Sequence, residues 1–200
     1  MMRRYTWFVP GLAALLLTLA ACSSPRTVKT YHKNGLRFSY PSDWMVTTDM
    51  RLPGNASVRE VVIHGPDHAL LLLFCFPEAA NVSLESFAAN AAKGRDGVVK
   101  KKLGGAPFTA RAVTARIAGQ ESPGIEQTFD LEILGQTLPH QASYYLVHLA
   151  GFKVVVGAQA AQQHLATVQP SWQKVFDTLA LETRVETRGD SGGLKAIFVR

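Results

Sequence analysis

Seven apolar residues in a row, Leu70-Leu71-Leu72-Leu73-Phe74-Cys75-Phe76, constrain the fold more than any other stretch of the chain. Turn-forming residues bound the run: His64-Gly65-Pro66-Asp67-His68 before it and Pro77 after it. It therefore reads as a strand over Ala69 to Phe76. Successive side chains of a strand point to opposite faces of its sheet. A strand that is apolar at every position has to be covered on both faces, as a central strand is. Cys75 falls inside this run and reads as a small buried hydrophobe.

Other segments build around that strand. Leu36-Arg37-Phe38-Ser39-Tyr40 alternates apolar and polar, which is strand periodicity. Pro41-Ser42-Asp43 makes a turn, because Pro presets φ and Ser and Asp bond the backbone just ahead. Strands are expected at Trp44 to Thr48, Val58 to Ile63, Phe108 to Ile117, Gly124 to Leu134, Gln141 to Leu149 and Phe152 to Ala158. Ser83 is placed to cap a helix running to about Lys93, with Leu84, Phe87, Ala88 and Ala91 on one face and Gly94 as the stop. A last helix carries Leu165, Val168, Trp172, Val175, Phe176 and Leu179, and Pro170 either starts its second half or kinks it. Strands, a helix, more strands and a terminal helix make an α+β pattern, an antiparallel sheet with helices packed on it.

The first 22 residues, MMRRYTWFVPGLAALLLTLAAC, follow a different logic. Arg3 and Arg4 form a positive start, and Phe8 to Ala20 is apolar. That stretch suits a secretory signal and falls short of the ~20 apolar residues of a spanning helix. Its end, Leu19-Ala20-Ala21-Cys22, resembles the lipobox of bacterial lipoproteins. The resemblance implies a diacylglycerol thioether on Cys22, cleavage before it, and acylation of the new amine. Residues 1–21 would then be a signal peptide, and 22–28 a tether. Ser23 and Ser24 follow Cys22 with no Asp beside it, which in enteric-type bacteria directs a lipoprotein to the outer membrane, facing the periplasm. Each buried methylene of the anchor contributes ~0.8 kcal/mol, so two or three acyl chains hold a protein essentially permanently.

Removing 21 of the 200 residues leaves 179, one domain of ordinary size, and removing Arg3 and Arg4 lowers the formal charge from +6 to +4. That charge is too small and too scattered for nucleic acid. With Cys22 assigned to lipid, Cys75 has no cysteine partner, and no metal-type Cys pair is present.

Tyr31-His32-Lys33-Asn34-Gly35-Leu36-Arg37-Phe38-Ser39-Tyr40-Pro41-Ser42-Asp43-Trp44 resembles the opening of PsbP/DcrB-like domains, which carry a glycine, then aromatic-Ser-aromatic-Pro and a Trp three residues on. The similarity runs as an element order to Trp172 and Phe176-Asp177-Thr178-Leu179. It defines a domain over 29–183 and a tail over 184–200. It implies an α-β-α sandwich around a central antiparallel sheet, in which Phe38 and Tyr40 face the core and Trp44 plugs one end. Members of the family mostly bind or assist other macromolecules.

The polar residues offer few candidates for chemistry. Gly189-Asp190-Ser191-Gly192-Gly193 looks like the nucleophile segment of trypsin-like proteases. His164 has none of their histidine's surroundings, and too few residues follow Ser191 to finish a second barrel. A serine hydrolase is therefore a remote alternative. His64, Asp67 and His68 sit at a hairpin tip that a metal would have to organise. His140 and His148 share a strand face but lie well apart. Glu126, Asp130 and Glu132 repeat on one strand face, which reads as solvated, with acid-base work or calcium binding as the functional option. Lys100-Lys101-Lys102 reads as a solvated loop that could touch anionic headgroups. Tyr144 and Tyr145 point to opposite faces, so at most one lines a groove.

The sequence thus leads to a non-catalytic lipoprotein of the cell envelope with no cofactor and no metal. Its expected partners are the membrane, through the lipid on Cys22, and an unidentified envelope protein. The contact would be a sheet edge or the apolar segment Leu194 to Val199. The alternative is a carrier or sensor of a small apolar molecule or lipid, which requires an apolar cavity. The tail has three readings: disordered, docked on the domain, or adding a strand to a partner.

Overall fold

The structure, a computed structural model, describes residues 27–100, 109–133, 136–188 and 194–199, with the backbone alone for 96–100, 132–133, 183–188 and 194–199. Seven antiparallel strands make the main sheet: β3 (Met45–Leu52), β4 (Asn55–His64), β5 (Leu70–Pro77), β6 (Thr109–Ile117), β7 (Gln120–Ile133), β8 (Gln136–Leu149) and β9 (Phe152–Ala161). Their spatial order is β3-β4-β5-β9-β8-β7-β6. The β5–β9 pairing, which sets Leu73 opposite Val156 and Cys75 opposite Val154, joins the meander of β3 to β5 to that of β6 to β9. The seven-residue apolar run is therefore central, as its composition requires.

Strand parity divides the core in two. Val61, Ile63, Leu71, Leu73, Cys75, Val147, Val154 and Val156 face one side, where they meet α2 (Leu165–Thr178) and a small sheet. That sheet consists of β1 (Val28–Lys33), β2 (Leu36–Pro41) and β10 (Ala180–Leu181), in the order β1-β2-β10. Phe74, Phe76, Phe129, Ala142, Tyr144 and Val155 face the other side, beneath α1 (Leu84–Lys100). Ser83 accepts a hydrogen bond from the Ser86 N–H at 3.1 Å and so caps α1, which runs on through Gly94. Trp44 lies against Gly65 so closely that a Cβ there would come within 2.4 Å of the indole ring.

The expected α+β class and α-β-α sandwich are corrected by this arrangement. The chain is mostly β, with two α-helices among the described residues, and one of the two outer layers is shared between α2 and a sheet. Two physical causes account for the difference. The Asn34-Gly35 pair, at φ 48 and φ 78, closes a two-residue hairpin between Lys33 and Leu36, so the segment before Leu36 becomes strand β1. The small sheet then shares one face of the main sheet with α2. Strands β7 and β8 also run 14 residues each, longer than the periodicity indicated. The tail forms a two-stranded sheet of its own from β11 (Thr183–Arg188) and β12 (Leu194–Val199).

One guanidinium fastens the small sheet to the edge of the large one. Arg59 on β4 is 6 % exposed, and its Nε donates to Asp49 Oδ1 on β3 at 2.8 Å. Its Nη2 donates to the Lys33 carbonyl at 3.0 Å and to the Tyr31 hydroxyl at 3.2 Å, and Nη1 to the Asn34 carbonyl at 3.3 Å. Asp49 also accepts from the Tyr31 hydroxyl at 2.6 Å and pairs with Lys33 Nζ at 2.7 Å. Burial by itself would raise the Asp49 pKa, but the hydrogen bonds from Arg59, Lys33 and Tyr31 outweigh it and hold the carboxyl well below the usual range. Burial and the hydrogen bond to Asp49 push the Tyr31 phenol up to about 12.

Removing one partner of such a buried pair strands the other charge, which costs about 3–5 kcal/mol. Asp49→Ala is therefore expected to lose about that much in urea unfolding at pH 7. A depressed carboxyl contributes fully above the ordinary aspartate pKa of roughly 4 and loses its contribution as the pH falls below it. The gap between wild type and variant should accordingly narrow below about pH 4. A raised phenol works in the opposite direction: its contribution is complete below the ordinary tyrosine pKa of roughly 10 and is lost as the pH rises toward 12. A gap independent of pH would mean that the cluster carries no such linkage.

Candidate functional site

The apolar stripe of α2, Val168, Trp172, Val175 and Phe176, is buried on the sheet and on β2. Gln169 and Gln173 flank that stripe and remain exposed. Between this flank and the facing strands lies an open groove of about 390 Å³. Its floor includes Glu126 on β7, Ser143 on β8 and Ala158 on β9, which stand directly opposite one another, and the row continues beyond the groove to Arg111 on β6. Directly opposed residues in antiparallel strands point to the same face, so the row is a consequence of register.

Glu126 is 8 % exposed and accepts a hydrogen bond from Arg111 Nε at 2.7 Å. The Arg111 side chain is itself 72 % exposed. Ser143 is buried and hydrogen-bonded to the Tyr145 phenol. Tyr145 lies flat over Gly124, where a Cβ would come within 2.4 Å of its ring, and meets Phe176 edge-on at 5.7 Å. Burial raises the Tyr145 pKa, partly countered by the Ser143 hydrogen bond. On the helix side, the indole N–H of Trp172 is buried and has no hydrogen-bond partner among the described residues. Pro170 lies inside α2 and has no N–H to offer the carbonyl of Ala166, and both residues line the groove.

The expectation for the acidic repeat is only partly met. Asp130 is exposed, whereas Glu126 lies beneath the groove, and the side chain of Glu132 falls outside the described residues. Alternation marked the face correctly but could not show that α2 covers part of it. The two tyrosines do diverge. Tyr145 lines the groove, and Tyr144 accepts a hydrogen bond from Arg95 Nη1 at 2.7 Å under α1. Arg95 also bonds Gln127 and lies 4.2 Å above the Phe129 ring, which docks α1 on its face. Arg59, Arg95 and Gln127 carried no sequence signal beyond their place among polar residues.

The remaining candidates do not assemble. Asp67 pairs with His164 at 3.5 Å, while His64 and His68 are exposed. His140 stacks on Phe129 and bonds the Leu138 carbonyl, and His148 pairs with Glu78 at the surface. No group of three His, Cys, Asp or Glu side chains among the described residues could hold a metal ion. No helix among them is long and apolar enough to cross a membrane. Cys22, Lys101, Lys102 and Ser191 lie outside the described residues, as does the side chain of Lys100.

No family model matches the chain, and no curated protein matches it. Solved structures similar to it include a cyanobacterial PsbP from Synechocystis, 16% identical, with a TM-score of 0.43 over 82% of this chain and 98% of that one. A protein from Bacteroides thetaiotaomicron is 13% identical, with a TM-score of 0.49 over 80% of this chain and 50% of the other. LpqN of Mycobacterium tuberculosis, described as involved in cell envelope biogenesis, is 12% identical, with a TM-score of 0.33 over 80% of this chain and 86% of its own.

Cys75 is 3 % exposed, and burial pushes its thiol up to about 11. The thiolate is the reactive form, so this sulfur should be inert in the folded protein. In a Cys22→Ser background it is the sole thiol. A disulfide reagent at pH 8 should then give no colour until denaturant unfolds the chain. Rapid labelling of the native protein would show that β5 opens locally.

Proposed function

We propose that this chain is a lipid-anchored, non-catalytic binding module of the bacterial cell envelope, and that it recognises an envelope protein through the groove between α2 and strands β7 and β8. One observation carries the reading: the groove is open and polar, and its one carboxylate is already paired with Arg111. It holds a carboxylate, Glu126, and a hydroxyl, Ser143, but no histidine, cysteine or lysine lines it. The serine hydroxyl is engaged with Tyr145 and the carboxylate with Arg111. A carboxylate held by a guanidinium is a weak general base, which supports a binding role over a catalytic one.

The anchor rests on Leu19-Ala20-Ala21-Cys22. A lipid on Cys22 would confine the domain to a membrane surface and raise its effective concentration for a partner there. The carrier alternative requires a sizeable apolar cavity. Another groove among the described residues, of about 340 Å³, is lined by Thr30, Arg37, Ser39 and Asp177 among others, and is too polar to support it.

Two measurements test the two halves of the proposal separately. In the native host, the mature species should begin at a lipidated Cys22 by intact mass, and Cys22→Ser should leave the membrane fraction or stay unprocessed. An unmodified Cys22 sinks the anchor. A photo-crosslinker at Gln169, on the exposed rim, should trap a defined envelope protein, whereas one at Glu85 on α1 should not. Equal yields at the two positions sink the groove as the contact.

A further inference from the structure

We propose that the outer face of the small sheet rests on the anchoring membrane and binds a phosphoethanolamine headgroup there, its phosphate on Arg37 and its ammonium on Asp177. The inference rests on the lipid-anchored reading and adds which face of the domain the membrane meets.

Strand parity builds the site. Leu36 and Phe38 of β2 point into the core, so Arg37 and Ser39 point outward. Register sets Thr30 of β1 opposite Ser39 and Val28 opposite Pro41, and directly opposed residues share a face. The C-terminal end of α2 adds Asp177 and Thr178, and the Ser39 N–H fixes it there by donating to the Thr178 hydroxyl at 2.8 Å. Thr30, Arg37, Ser39, Asp177 and Thr178 together line the open groove of about 340 Å³.

Two opposite charges line this groove, and they do not pair with each other. Arg37 makes no hydrogen bond or ion pair among the described residues. Its Nε is sealed from solvent, so the stem is held and the fork of terminal nitrogens is the part open to a ligand. Asp177 accepts a hydrogen bond from Gln173 Nε2 at 2.8 Å and forms no ion pair among the described residues. Charges that face one space without closing on each other leave both needs open. A phosphate ion would meet Arg37 and be repelled by Asp177, and an amine would meet the reverse. A zwitterion serves both. The guanidinium fork matches two phosphate oxygens, and the Thr30 and Ser39 hydroxyls offer further donors.

Position selects a lipid among zwitterions. Val28 shares the face of Thr30 and is 51 % exposed, so a large apolar side chain stands in the open beside the charged groove. That pairing suits the boundary between headgroups and acyl chains. Six residue steps separate Cys22 from Val28, about 20 Å at full extension, so a lipid on Cys22 brings this face within reach of the bilayer. A soluble zwitterion would use neither feature. The walls are polar, so the groove takes a headgroup while the acyl chains stay in the bilayer.

The test has two arms on the full mature protein. In detergent solution, glycerophosphoethanolamine should shift the backbone amide resonances of Ser39 and Thr178 saturably. Inorganic phosphate or ethanolamine alone should bind about tenfold more weakly, as should glycerophosphoethanolamine to Arg37→Met or to Asp177→Asn, each change removing a hydrogen bond to a charged group. No saturable shift, or full affinity in either variant, overturns the site. Equal affinity for inorganic phosphate overturns the zwitterion. In the second arm, the lipidated protein carries a fluorophore at Val28→Cys or at Glu85→Cys on α1. It is reconstituted in phosphatidylcholine vesicles with a quencher on the acyl chains, with or without an equal part of phosphatidylethanolamine. Phosphatidylethanolamine should increase quenching at position 28, not at 85, and Arg37→Met should remove the increase. Equal quenching at the two positions, or none added by phosphatidylethanolamine, overturns the membrane contact and leaves a site for soluble zwitterions. Protein that leaves the vesicles marks failure of the anchor, and the first arm still decides the site.

Discussion

The Arg59 guanidinium is bonded at all three of its nitrogens, to a carboxylate on β3, a phenol on β1 and two carbonyls beside the β1–β2 turn. A charge this far from water is tolerated only when it is paired and hydrogen-bonded, and the geometry of those bonds fixes where β1 can lie. Asp49 sits at the crossing and is also bonded by Tyr31 and Lys33, so a shift of β1 by one residue would remove both of those bonds. The position of β1 fixes β2, and β2 carries Leu36 and Phe38 onto α2. The seating of α2, and with it the width of the groove, follows from that chain of contacts.

Parity accounts for the rest. A sheet covered on both faces has to sort its side chains by odd and even position, and a slip of one residue would exchange the two cores. Strand β7 shows the result most clearly. Ile125, Gln127 and Phe129 lie under α1, while Glu126 lies under the groove. Gln127 is the polar exception on the α1 face and is satisfied there by Arg95 and the Ala88 carbonyl. The residues that dock one helix and those that line the groove below the other thus alternate along a single strand.

Much of the main sheet was legible because its signals are local. The Leu70 to Phe76 run required a central strand, and alternation of apolar and polar residues located β7. Within the small sheet, alternation located β2 but not β1, which exposes nearly all its side chains and presents no apolar face. Its clearest mark was the Asn34-Gly35 pair, where Gly35 meets two demands at once: a positive φ, and a Cβ-free approach to the Glu182 carbonyl, which would stand 2.7 Å from any added carbon. The helical layers were over-read for the same reason. A helix pattern states that a helix exists, whereas the share of a face it covers depends on what else packs there, and here β1, β2 and β10 pack beside α2.

The groove was the least legible feature because it is made by register between distant segments. Nothing near Glu126 in sequence indicates that Arg111 will stand opposite it on one side and Ser143 on the other. That juxtaposition also bears on how such a module would work at a membrane. Six residue steps separate Cys22 from Val28, which at full extension reach about 20 Å. If the lipid we propose is present, β1 is held within that distance of the bilayer, and the Arg59 cluster transmits the constraint to the whole domain. The groove then needs only modest intrinsic affinity, because confinement to the surface supplies the remainder.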